Sequence, residues 1–355
     1  MRIALPLSVV ALLATPIVAQ QLTVGTAAAG PGTTAYGVIV VPPAADPGLS
    51  IPVAVVRGTR PGPVLALVAG SHGTEYASIV ALQRLLPRLD PKRISGAVIV
   101  APLLNLASYR EMIVHLNPVD GKSMNRVYPG DRTGTQTQRA LAAVADQIVR
   151  QAQVIVDLHG GDLDEDLRPY SYWFRTGNRA QDSAGRALVL AFGLDHIIVQ
   201  DVDLANPASR GTLSGYSLSL GKTAVVPEAG RSGTVLAEDV DALINGTLNV
   251  MGALRMIERP ARAPIHPVWL DGGARVTADG EGMFFQSVPR GARVTEGMKV
   301  GVITDFYGRE TSVVRAPAGG VVTFIRGVPS IWGGATLVSV SRVLREPPPY
   351  VRPGR

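Results

Sequence analysis

The chain has 355 residues, 34 Lys and Arg against 28 Asp and Glu, a net charge of +6, five histidines and no cysteine. Its positive residues are dispersed, without the basic blocks and interleaved aromatics of a nucleic-acid binder, so no nucleic-acid partner is expected. Without cysteine there is no disulfide framework, no thiolate nucleophile and no cysteine-ligated metal, and any metal must be held by His, Asp and Glu.

In chain order, "MRIALPLSVVALLATPIVAQQ" comes first: one early Arg, an apolar run, then small residues. This is the layout of a signal peptide over residues 1–19, cut after Ala19. It predicts an exported protein, periplasmic or secreted, with no stable membrane insertion after cleavage. An uncleaved anchor is the alternative, disfavoured by Pro6, Pro16 and a run short for a full span.

Residues 20–262 then alternate between two patterns. "YGVIVV", "IPVAVVRG", "PVLALVAG", "GAVIVAPLL", "AQVIVDLHG", "HIIVQD" and "KTAVVPEAG" read as strands, several of them apolar on both faces and hence central in a sheet. "TEYASIVALQRLLPRL", "TQTQRALAAVADQIVRQ" and "RSGTVLAEDVDALINGTLNVMGALRM" carry apolar residues at three and four spacing and read as helices. The alternation implies an α/β sandwich on a mixed, largely parallel sheet, and this region is the expected catalytic domain. Pro260, Pro264 and Pro267 then end the last helix. Over residues 263–345 the pattern changes to short strands separated by glycines, which predicts a small all-β barrel or sandwich. "REPPPYVRPGR" closes the chain, with residues 346–355 expected to be disordered or extended.

In an α/β sheet, ligands bind beyond the carboxyl ends of the strands. Three strand ends carry polar residues there: His72 and Glu75 in "GSHGTE", Asp157 and His159 in "VIVDLHGGD", and Glu228 in "AVVPEAG". Taken singly, "GSHGTE" is equally a loop histidine and an acid favouring a helix N-terminus. With His159 added, two imidazoles and a carboxylate match a catalytic zinc site that keeps one position open for water. Glu228 has the position of a general base, with a helix cap as its bland alternative. Asp157 shares a strand face with His159 and either orients it or is a solvated strand-end acid. Asn125 and Arg126 in "NPVDGKSMNRVYPGD" could clamp a substrate carboxylate, or Arg126 could pair with Asp120 or Asp131. Tyr170, Tyr172 and Trp173 in "RPYSYWF" either wall the pocket or belong to the core.

"GSHGTE", "MNRVYPG", "DLHGG" and "VPEAG", in that order, resemble the succinylglutamate desuccinylase and aspartoacylase family, which has a zinc carboxypeptidase-like fold. The likeness runs from about residue 35 to about residue 262 and is carried over residue by residue. It implies that His72, Glu75 and His159 bind one zinc ion per chain, that Glu228 is the general base, and that Asn125 and Arg126 bind the substrate carboxylate. The family usually has Asp, Leu, Asn, Arg at the clamp, where this chain has Ser123, Met124, Asn125 and Arg126. A further arginine commonly polarises the scissile carbonyl. Arg110 is its nearest candidate, while His115 either fills part of that space or is a loop residue without a role. The implied reaction is amide hydrolysis of an N-acyl amino acid or related carboxylate by zinc-activated water. The alternative is a metallocarboxypeptidase acting on peptides, including those of the cell wall.

The region 263–345 is similar to the biotinyl and lipoyl type of barrel-sandwich hybrid. "EGMKV" mimics the modified-lysine signature of biotin carriers, but Lys299 lies before a strand, and the hairpin "APAGGVV" has no lysine, so no attached cofactor is expected. A binding module that kept only the fold would require a lost ligand or base, and all four positions are filled. A serine hydrolase is disfavoured because "GYSLS" lacks the second glycine of a nucleophile elbow.

Overall fold

The computed structural model describes residues 21–260 and 266–345. The leader 1–19 and the tail 346–355 lie outside the described residues. Strands β1 (Leu22–Val24) and β2 (Ala27–Ala29) form a small hairpin, followed by β3 (Thr33–Val41), β4 (Leu49–Arg57) and β5 (Arg60–Ala69). Then come α1 (Tyr76–Leu85), β6 (Ser95–Ala101), α2 (Leu106–Glu111), α3 (Gln136–Val144), β7 (Val154–Leu158), β8 (Glu165–Arg175) and α4 (Arg179–Phe192). The run continues with β9 (His196–Asp201), α5 (Leu213–Ser219), β10 (Thr223–Arg231) and α6 (Ala237–Ala253). The C-terminal strands are β11 (Val268–Leu270), β12 (Ala274–Thr277), β13 (Gly282–Gln286), β14 (Arg293–Val294), β15 (Lys299–Thr304), β16 (Glu310–Arg315), β17 (Gly320–Arg326), β18 (Ser330–Ile331) and β19 (Thr336–Ser341).

One mixed sheet organises the chain, and its main path runs β12-β19-β17-β8-β10-β7-β5-β6-β4-β3. The four neighbours β10, β7, β5 and β6 are mutually parallel, and antiparallel strands flank them on both sides. Alternation along the central strands divides the core between two faces. Leu65, Leu67 and Ala69 of β5 pack with α1 and α6, whereas Ala66 and Val68 pack with α3. Both faces are therefore covered by helices, the α/β/α arrangement in which central strands are apolar throughout.

All seven strands read from hydrophobic runs are present, and β9 has the limits of "HIIVQD". Helices α2, α4 and α5 are not among those read from the sequence, and two further elements differ from expectation. "RPYSYWF" is the middle of an eleven-residue strand, β8, which pairs antiparallel with β10 and parallel with β9. The last helix starts at Ala237 rather than near Arg231, because β10 continues through Gly230 and Arg231, paired with Leu167 and Asp166.

Residues 266–345 have an apolar core of their own around Phe284, Val300, Val322 and Val338. A separate four-stranded sheet, β16-β15-β13-β18, forms one side of it. The other side is continuous with the large sheet, since β17 pairs with β8 at Phe324↔Leu167 and Arg326↔Glu165. Arg290 adds a second tie, bonding the carbonyls of Leu167 and Gly230 and facing Asp166 and Asp239. Among the described residues no helix is long and apolar enough to cross a membrane.

Candidate metal centre and active site

The parallel strands β5 and β7 stop side by side, with Ala69 opposite Leu158. After β5 the chain turns at Gly70 (φ 67°), where a Cβ would lie 2.9 Å from the Leu103 backbone, so glycine is required. This turn presents His72, and Glu75 stands at the N-terminus of α1. The Glu75 side chain makes no capping bond. Instead Oε1 lies 2.7 Å from His72 Nδ1, and Oε2 lies 2.9 Å from His159 Nδ1 and 3.2 Å from the Gly160 amide. His159 is locked just past β7 by its own backbone, which donates to Pro227 O at 3.0 Å and accepts from Ala229 N at 3.3 Å. That interlock places Glu228 beside it, as His159 and Glu228 form a parallel bridge. Glu228 lies inside β10, well before α6, so it is not a helix cap.

The three predicted donors therefore converge, with one ligand atom from each of His72, Glu75 and His159 within 4.8 Å of the others. Electrostatics agree. Burial works to raise the Glu75 pKa, but the attraction of His159 and His72 prevails and holds it at about 2. Burial opposes a charge on His159, yet Glu75 and Asp157 carry its pKa well above the usual value. Glu228 is pushed well above the carboxylate range, first by burial and then by Glu75, Glu165 and Asp157. Glu75 and His159 thus stabilise each other's charged forms, while burial and the neighbouring acids disfavour charge on Glu228.

Behind the donors, Asp157 is 1% exposed, and neither of its carboxylate oxygens accepts a hydrogen bond. Its Oδ2 stands 3.3 Å from His159 Nε2. A carboxylate on the outer nitrogen keeps Nδ1 free as a lone-pair donor, the arrangement found behind metal-bound histidines. Two imidazoles and a carboxylate, with an outer acid behind one of them, fit zinc.

Asn125 and Arg126 separate in role. The Asn125 side-chain oxygen accepts from the Leu213 amide at 2.9 Å, which packs its amide nitrogen 3.2 Å from His159 Nε2, beside the candidate metal centre. Arg126 bonds the Asn125 carbonyl at 2.6 Å and forms no ion pair among the described residues. Its anticipated partners are engaged elsewhere, Asp120 with Thr137 and Asp131 with Thr133. Arg126 lines a cavity of about 200 Å³ with Gln200, Thr212 and Ser214. Arg110 is exposed on α2, and its side chain makes no hydrogen bond or ion pair among the described residues. Tyr170 and Tyr172 bring their hydroxyls within 3.4 Å of each other, and burial together with Glu228 raises Tyr172 to about 12. Trp173, fully buried, donates to Asp182 O at 2.9 Å and belongs to the core.

Sequence reasoning missed the acids after the second histidine. Asp162, Asp164 and Glu165 gather around His115, whose ring stands edge to face against His72 with centroids 5.4 Å apart. Burial first, then Glu75 and Asp164, push Glu165 up to about 7 against the pull of His115. The acid run in "GGDLDED" was the available signal.

A curated relative, the N-alpha-acetyl-L-2,4-diaminobutyric acid deacetylase of Halomonas elongata, is 28% identical over 83% of this chain and 86% of its own. The solved structure of a succinylglutamate desuccinylase/aspartoacylase from Rhodobacter sphaeroides aligns with TM-score 0.78 at 25% identity, over 88% of this chain and 96% of the other. The ectoine utilization protein EutE (DoeB) from Ruegeria pomeroyi shares the fold, with TM-score 0.79 at 22% identity, over 87% and 95% of the two chains. The model of the succinylglutamate desuccinylase/aspartoacylase catalytic domain matches residues 61–254, more than half of the chain and every residue of the centre just described. The chain therefore belongs to the succinylglutamate desuccinylase/aspartoacylase family of amide deacylases.

Proposed function

We propose that this protein is a zinc-dependent amidohydrolase that removes the acyl group from an N-acyl amino acid or a related carboxylate. The observation that carries the proposal is the convergence of His72, Glu75 and His159 beside Glu228 on neighbouring strand ends. The Halomonas relative, a deacetylase of an N-acetylated amino acid, supports the choice of an amide as the bond cleaved. His72, Glu75 and His159 would hold the ion, with Asp157 behind His159. Zinc in such a site supplies Lewis acidity and lowers the pKa of water towards neutrality.

The chain's own residues supply the rest. Glu228, bridged to His159 at the neighbouring strand end, receives a proton from the attacking water as its carboxylate. It then delivers that proton to the leaving nitrogen as the amide C–N bond breaks. The products are the free acid and the amine. Arg126, which makes no ion pair among the described residues and follows Asn125 beside His159, binds the substrate carboxylate. The apolar leader at residues 1–19 supports action outside the cytoplasm.

Metal analysis combined with hydrolysis of a panel of N-acetyl amino acids tests this reading. Glu228→Gln should lower kcat by about 10²–10⁴-fold while zinc is retained. Glu75→Gln should lose the tightly held zinc. Wild-type turnover by Glu228→Gln, or full activity in metal-free protein, would overturn it. Release of C-terminal residues from peptides without deacylation would instead favour a carboxypeptidase.

A further inference from the structure

His115, Asp164 and Glu165 form a second convergence of donors, with one ligand atom from each within 4.8 Å of the others. His115 Nε2 lies 3.4 Å from Asp164 Oδ1 and 3.9 Å from Glu165 Oε1. For zinc bonds of about 2.0–2.2 Å, the edge of the coordination tetrahedron is about 3.3–3.6 Å, so the first separation fits and the second needs only a slight contraction.

The atoms pointing away from that centre are all engaged. His115 Nδ1 stands 3.1 Å from Asp162 Oδ2. Asp162 is itself fixed by the Thr74 hydroxyl and, at 2.8 Å, by the Leu163 amide. Asp164 Oδ2 pairs with Arg326 Nη2 at 3.0 Å. Glu165 Oε2 accepts from the Asp162 amide at 3.2 Å. What remains is His115 Nε2, Asp164 Oδ1 and Glu165 Oε1, turned towards one another. Asp164 is only 8% exposed, and its Oδ1 accepts no hydrogen bond. A buried carboxylate oxygen with no hydrogen bond, facing the His115 ring at 3.4 Å, has a desolvation cost that a cation would offset. Asp162 on Nδ1 reproduces the outer carboxylate of a metal-bound imidazole, assigning Nε2 as the donor. The His115 backbone is held at φ 60°, and its N–H donates to Asp162 Oδ2 at 3.0 Å. Strain of this kind persists where surroundings over-determine a residue.

We propose that His115, Asp164 and Glu165 form a second site for zinc or a similar divalent cation that accepts nitrogen donors, distinct from the centre at His72, Glu75 and His159. The imidazole donor disfavours magnesium, which takes oxygen ligands and near-ideal octahedral geometry. The site is reached from solvent, because the His115 side chain is 39% exposed.

Equilibrium dialysis of the folded protein against buffered zinc, with cobalt absorption as a second readout, tests this assignment. Wild type should bind two ions per chain in two separable steps, and excess magnesium should displace neither. Glu165→Gln and Asp164→Asn should each bind one, while circular dichroism and a cooperative melt confirm that they fold. Glu165→Gln, nearly isosteric, keeps the test open if Asp164→Asn unfolds when Arg326 loses its partner. Saturation at one ion in wild type, or two ions in both variants, overturns the proposal. Glu75→Gln separates the two centres: loss of its step with the other intact supports both assignments. If neither step is affected by Glu75→Gln, the assignment of the catalytic metal fails instead.

Discussion

Two clusters of histidine and acid stand against each other at one rim, with the His72 and His115 rings in edge contact, yet they are built in opposite ways. The first sits on the ends of β5, β7 and β10. Their backbones bond to one another, so position follows from strand pairing. The second takes His115 from a loop after α2 and its acids from residues 162–165. It is fastened from outside by Arg326 on β17, far along the chain. Chemistry that needs accurate geometry occupies the rigid frame, and the loop cluster depends on a distant region to close.

The largest expected effect tests that dependence. Arg326 is 3% exposed, and it bonds Thr336 O and Ser330 O as well as facing Asp164. Arg326→Met leaves Asp164 with only the partly exposed His115 ring to offset its buried charge, which costs up to about 3–5 kcal/mol. A urea titration should show the unfolding free energy fall by that amount. A loss below about 1 kcal/mol would mean that the cluster does not lean on the C-terminal strands, and the contrast would fail.

On the strand side the expected effect is smaller and local. Asp157→Asn keeps the size of the side chain but removes the charge behind His159 Nε2. Zinc affinity at the first centre should drop by about 10–100-fold, measured by chelator competition. Affinity at the second centre should not change. A change of similar size at both would show that they are one coupled network.

The asymmetry also explains what the sequence revealed. His72, Glu75, His159 and Glu228 were legible because each follows a hydrophobic run that stops at the same rim, so local pattern and site coincide. The β8 strand was hidden because "EDLRPYSYWFR" is amphipathic only in part, and its partners β10 and β9 lie downstream. Helix α4 carried readable ends, with Asn178 capping the amides of Ala180 and Gln181 and Gly193 in the left-handed region, although its apolar face is thin. The pairing of Asp164 with Arg326 could not be read at all. It joins residues 162 positions apart through a strand pairing whose register is set by the whole fold.

The third effect is the smallest and distinguishes the clusters by the direction of their pH dependence in the metal-free protein. Burial works to lower the His115 pKa, but the facing Asp164 carboxylate, together with Glu165 and Asp162, raises it from 6.5 to about 9. A raised folded-state pKa gives stability that is fully present below the unfolded value of 6.5 and is lost as pH rises through about 9. Glu75 has the opposite sign: with its pKa lowered from 4.5 to about 2, its contribution is present above 4.5 and disappears as pH falls towards 2. Urea titrations in chelator should therefore show His115→Gln less stable than wild type near pH 6, with the difference fading on the alkaline side. For Glu75→Gln the difference should fade on the acid side. Because the His115 ring is 39% exposed, water screens it, and its effect is the weaker of the two. If the His115→Gln difference persists unchanged to about pH 10, the loop cluster does not hold a shared proton in the absence of metal, and the ring's place there is set by packing rather than charge.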